Sequence, residues 1–191
     1  MHKKSSDTAI IAIYFATMLV IHFITSIVFQ LWPVPIKPTI VHLPVIIASI
    51  LYGPKIGAYL GGLMGVISLV TNTIILLPTS YLFSPFVAGG NLASIIIAFV
   101  PRILIGVVPF YVYRIFHNKF GLALAGALGS ITNTIFVISG IFIFFSSLYR
   151  GDVKLMLASI VQANAIVEML ICATIVILTI PRLQKLQKKI T

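Results

Sequence analysis

The chain is 191 residues long, 60% apolar and only 8% charged, with a mean hydropathy of +1.16. A soluble domain is roughly half apolar and a quarter charged, so a soluble globule is excluded and an integral membrane protein is indicated. The net charge of +10 does not point to nucleic acid, because the basic residues are scattered around apolar runs instead of gathered with aromatics on one polar face.

Taken in chain order, the first apolar run covers residues 8–30, with Asp7 placed to cap its start. The preceding Met-His-Lys-Lys resembles the basic start of a signal peptide, but no small-residue cleavage site follows, so a retained first helix is expected. The run ends at Trp32-Pro33-Val34-Pro35-Ile36-Lys37-Pro38, whose prolines impose an extended loop. A short second run, 39–52, turns at Gly53-Pro54-Lys55 directly into a third, 56–77. Residues 78–91 are too polar and broken to span; they carry Tyr81, Phe83, Phe86 and the Gly89-Gly90 pair, and their aromatics suit an interface or a lid over a pocket. Three further runs follow, 92–113, 120–145 and 155–180, the last ending at Pro181.

The predicted fold is therefore a single all-α domain, a six-transmembrane-helix bundle occupying residues 1–191. Positively charged loops stay cytoplasmic. With the N-terminus inside, Lys3, Lys4, Lys55, Arg114, Lys119, Arg182, Lys185, Lys188 and Lys189 are cytoplasmic, and only Lys37, Arg150 and Lys154 face out. Both termini are expected in the cytoplasm.

Small residues mark where helices can approach closely, since in lipid van der Waals fit replaces the hydrophobic drive. Gly57, Gly61 and Gly65 stand four apart, as do Gly121, Ala125 and Gly129. Ala12 and Ala16, with Ala9 nearly in line, form a smooth stripe on the first helix that serves either internal packing or a partner membrane protein.

Polar groups inside spans need partners or a watery cavity. Arg102 and Glu168 fall at similar depth and form either a structural pair or an anion-binding fork with an orienting carboxylate. Asn91, Asn133, Gln162 and Asn164 add neutral donors and acceptors that suit a polar solute. Tyr81 belongs to the candidate lid, and Trp32 is an interface anchor or part of a loop folding over a ligand. Asn72 is expected as a packing amide and His42 as an interfacial or hairpin contact.

Covalent chemistry is not expected. No phosphate loop, zinc helix or nucleophile elbow occurs, and only three carboxylates are present. A single cysteine, Cys172, forms neither an intrachain disulfide nor a thiolate metal cluster. The chain reads as one that holds or moves a small solute, with no catalytic residue, metal or resident cofactor.

The six spans, the Ala12-Ile13-Tyr14-Phe15-Ala16 step and the run Pro38-Thr39-Ile40-Val41-His42-Leu43-Pro44 leading to Tyr52-Gly53-Pro54-Lys55-Ile56-Gly57-Ala58 resemble the substrate-binding S components of energy-coupling factor (ECF) vitamin transporters. The resemblance covers nearly the whole chain. It implies a bacterial plasma-membrane protein that captures a vitamin from outside. Its partners would be a transmembrane coupling protein (the T component), docked on Ala9, Ala12 and Ala16, and two cytoplasmic ATPase subunits that bind the ATP and Mg. The implied pocket lies among the last three helices under the loops, where Trp32, Tyr81, Asn91, Arg102, Asn133, Gln162, Asn164 and Glu168 fall. The Phe83-Ser84-Pro85-Phe86 loop and Phe99-Val100-Pro101-Arg102-Ile103-Leu104 look most like the pantothenate type. Riboflavin, niacin and a pyridoxine-like vitamin remain alternatives, as does an independent secondary transporter.

Overall fold

The computed structural model describes residues 2–31, 40–145 and 152–190, with residues 2–5, 30, 152–163 and 188–190 described by backbone alone. It is all-helical, with no strand among the described residues. In chain order it has α1 (His2–Leu31), a 3-10 turn (Ile40–His42), α2 (Leu43–Tyr52) and α3 (Pro54–Ile74). A second 3-10 turn (Ser80–Leu82) precedes α4 (Leu92–Ile105), α5 (Val108–Ile115), α6 (Lys119–Phe144) and α7 (Asp152–Ile190).

Among the described residues, five segments are long and apolar enough to cross a membrane: Ser6–Phe29, Pro54–Ile74, Leu92–Ile115, Lys119–Phe144 and Asn164–Gln187. The Ile40–Tyr52 segment is apolar but shorter. Asp7 lies inside α1, which starts at His2, so it does not cap that helix.

The fourth span is divided. Pro109 has no amide hydrogen and its ring collides with the carbonyl four residues back, so the chain turns at Gly106 and Val107 before α5 begins. Between α2 and α3 the chain reverses at Gly53, whose φ of 99° is open to glycine without strain.

Glycines set the seams. A Cβ on Gly57 would overlap the carbonyl oxygen of Gly106, one on Gly61 that of Arg102, and one on Gly65 would reach Phe99 and Ala98. The matched positions run in opposite directions along the two chains, so α3 and α4 pack antiparallel with backbones nearly touching. Gly129 meets Pro109 and Ile46, and Gly140 meets Ile97, which sets α6 antiparallel to α4 and α5. Gly126 packs against the backbone of Cys172 and Ala173 on α7. The longest seams are α6 with α7, α3 with α4 and α4 with α6.

The first helix lies differently. Met18 is its only fully buried side chain among those described. Its inner face is held by Tyr14, edge-on to Tyr52 at 5.9 Å between ring centroids, and by His22, whose Nε2 lies 3.1 Å from Oγ1 of Thr71. The opposite face carries Ala9, Ala12, Ile13, Ala16 and Val20, all exposed on the outside of the bundle.

Candidate functional site

The polar residues of the bundle interior converge where α4, α6 and α7 meet the start of α2. Pro101 sits inside α4, and because it lacks an amide hydrogen, the carbonyl of Ile97, four residues back, loses its helical donor. Arg102 takes that place: its Nη1 donates to the Ile97 oxygen at 2.6 Å. The guanidinium also stands over the ring of Phe83, 4.9 Å from the centroid, in cation–π geometry. Arg102 is only 8% exposed, and its Nε has no hydrogen-bond partner among the described residues. A guanidinium carries five N–H donors in a fixed fork, so donors remain for a planar anion after Ile97 has been served.

Glu168, on α7, is 7% exposed, and its charge and that of Arg102 act on each other across the site. His42 ends the first 3-10 turn with no exposed surface. Its Nε2 lies 3.2 Å from Sγ of Cys172, while its Nδ1 has no hydrogen-bond partner among the described residues. Arg102 and His42 are close enough to interact electrostatically, as are Cys172 and Glu168. On α6, Oγ of Ser130 and Oδ1 of Asn133 are buried and have no hydrogen-bond partner among the described residues. Since Gly126 packs on Cys172 and α6 and α7 are antiparallel, Ser130, one turn further along α6, comes level with Glu168, one turn back on α7.

A buried polar atom without a hydrogen bond is costly, and proteins leave few of them. Nε of Arg102, Nδ1 of His42, Oγ of Ser130 and Oδ1 of Asn133 all have this character. Such a set suits a solute that brings both an anionic group and hydroxyl or amide groups.

The loop after α3 covers the site and is tied down. Oγ of Ser94 donates to the Tyr81 carbonyl at 2.6 Å, Oγ1 of Thr73 pairs with Oγ of Ser84 at 2.7 Å, and Tyr81 packs against Phe145 with ring centroids 5.7 Å apart. Phe83 is thereby held over Arg102.

Of the residues expected from sequence, Arg102, Glu168 and Asn133 are brought to this interior. Asn164 is half-buried on α7, one helical turn before Glu168. Tyr81 contributes to the loop. Asn91 is exposed and caps α4: its Oδ1 accepts from the amide of Ala93 at 2.8 Å in a capping box with Ser94. Trp32 lies outside the described residues, as does the side chain of Gln162. His42, expected as an interfacial or hairpin contact, is fully buried beside Cys172, and Ser130 and Phe83 were not singled out as ligand contacts.

Residues 6–180 match the family model of the ECF transporter substrate-specific component. The chain belongs to this family. As an S component it is a multi-pass membrane protein and not an enzyme. Over 188 residues, 96% of each chain, this S component is 45% identical to the pantothenic acid transporter PanT of Lactococcus lactis subsp. cremoris (strain MG1363).

Proposed function

We propose that this S component captures pantothenate outside a bacterial plasma membrane and hands it to the cytoplasm. The observation that carries this reading is the 45% identity, over 96% of both chains, to a relative named for pantothenic acid. The chemistry of the site supports it. Pantothenate offers one carboxylate to Arg102, and an amide and two hydroxyls to groups such as Asn133, Ser130 and Asn164.

In this reading the Ile40–Tyr52 segment counts as a sixth crossing, and both termini are cytoplasmic. The nine-to-three distribution of basic residues favours that orientation. A transmembrane coupling protein docks on the outward alanine face of α1, and two ATPase subunits bind ATP and Mg and supply the work. The exposure of Ala9, Ala12 and Ala16 on the outer surface supports docking over internal packing.

The test is a titration of the detergent-purified chain with pantothenate, riboflavin, niacin and pyridoxine. Saturable binding of pantothenate with at least tenfold preference is the expected result. Preference for one of the other three reassigns the vitamin, and ATP-independent uptake by the chain alone in liposomes replaces the reading with a secondary transporter.

A further inference from the structure

In the loop after α3, Phe83 stands between two anchored neighbours. Leu82 on one side is 2% exposed and packs in one cluster with Ile97, Val137 and Phe145. Ser84 on the other side has no exposed surface; its Oγ pairs with Oγ1 of Thr73 at 2.7 Å and accepts from the amide of Phe86 at 3.2 Å. The backbone is pinned as well, since the amides of Phe83 and Ser84 both donate to the Ser80 carbonyl, at 3.1 and 3.0 Å. A residue held on both sides cannot swing its ring away without breaking these contacts.

That ring closes a circuit through Ile97. The side chain of Ile97 shares the Leu82 cluster, its carbonyl oxygen accepts from Nη1 of Arg102 at 2.6 Å, and the Arg102 guanidinium stands 4.9 Å from the centroid of Phe83. The guanidinium is thus fixed twice, in its plane by Ile97 and on its face by Phe83. With Nη1 engaged, the edge formed by Nε and Nη2 is the one that can meet a carboxylate through two parallel N–H bonds. On that edge Nε is buried and has no hydrogen-bond partner among the described residues.

We propose that Phe83 is a positioning residue, whose ring face holds Arg102 so that its Nε edge is preset for the carboxylate of the solute. This inference rests on the pantothenate reading above and deepens it. An unrestrained arginine side chain samples many rotamers, and a ligand that must first order it loses affinity. The ring removes that cost before binding. It also keeps water off the guanidinium face, which strengthens the charged bond at the edge. Because the ring uses the face and the carboxylate uses the edge, the two contacts do not compete. The consequence is selective: a ligand without a carboxylate makes little use of the fork and gains little from the ring.

The experiment is calorimetric titration of the full chain in detergent with pantothenate and with the analogue in which a hydroxymethyl group replaces the carboxylate. Phe83→Leu keeps apolar bulk and removes the π face. It should weaken pantothenate about tenfold and the alcohol less than about threefold. Phe83→Tyr restores the face and should return pantothenate to within about threefold of the unaltered chain. In an Arg102→Ala background Phe83→Leu should add no further loss, because the ring acts through the guanidinium. Phe83→trifluorophenylalanine depletes the negative face at nearly constant size. It should weaken pantothenate and leave the alcohol unchanged, and it carries the test even if Phe83→Leu does not fold.

Equal weakening of both ligands, or an undiminished affinity for pantothenate once the π face is removed or depleted, overturns the positioning role. So does failure of Phe83→Tyr to restore binding, or a loss from Phe83→Leu that is as large without Arg102 as with it. No binding of pantothenate by the unaltered chain refutes the pantothenate reading itself, which separates the two failures.

Discussion

Nη1 of Arg102 donates to the carbonyl oxygen of Ile97 at 2.6 Å, filling the position that the amide of residue 101 would hold were it not a proline. A helix defect and a binding side chain are thereby joined. Pro101 costs α4 a backbone hydrogen bond, and the orphaned carbonyl fixes the guanidinium that faces the site.

Pro101→Ala should separate these effects. The new amide bonds to Ile97 and straightens the helix, so the thermal midpoint in detergent should rise, with a gain below the roughly 3 kcal/mol that an interior proline can cost. Arg102 then loses its fixed position, and affinity for pantothenate should fall. A variant that is both more stable and equally tight would show that the Ile97 contact does not orient Arg102.

Arg102→Ala removes the fork outright. A hydrogen bond to a charged group contributes about 1.5–3 kcal/mol, so binding of pantothenate should weaken by one to two orders of magnitude, and binding of its alcohol analogue much less. Equal weakening of both ligands would return Arg102 to a purely structural role beside Glu168.

The α3–α4 seam predicts a contrast between neighbouring glycines. Gly57→Ala forces a methyl into the carbonyl of Gly106 and should destabilise by about 1–3 kcal/mol. Gly62→Ala meets open space and should be neutral or slightly stabilising. Thermal unfolding of both variants in one detergent checks the pair, and equal effects would contradict the close approach at Gly57.

On α1, Ala12→Phe and Ala16→Phe add bulk to a face that is exposed on the outside of the bundle among the described residues. Vitamin binding and thermal midpoint should stay near their original values, whereas uptake by cells or by the reconstituted complex should fall severely. Parallel loss of binding and uptake would argue against a docking face.

Much of the fold was legible because apolar length and small-residue spacing are local properties. The Gly57, Gly61 and Gly65 series located a seam before any partner helix was known, and the partner positions turned out to be Gly106, Arg102 and Phe99. The break in the fourth span was carried by Pro109, but the unbroken run of apolar residues around it masked the signal. Arg102, Glu168 and Asn133 stood out as polar groups in apolar surroundings. Asn91 has the same composition of neighbours yet acts on its own helix end, a distinction that depends on backbone direction at one residue. His42 and Ser130 became visible only in three dimensions: one is placed by a contact with Cys172, 130 positions away, and the other by the pairing of α6 with α7.

The packing of α1 against the first 3-10 turn has a mechanical consequence. Ala12 and Ala16 look outward from the same cylinder whose inner side rests on the segment ending in His42. Tyr14, between those two alanines, meets Tyr52 at one end of α2, and His42 stands at the other end, so α1 spans the length from the alanine surface to the buried imidazole. The outer alanine surface is thus joined to the segment ending in His42 through a single rod, without passing through the glycine-knitted seams.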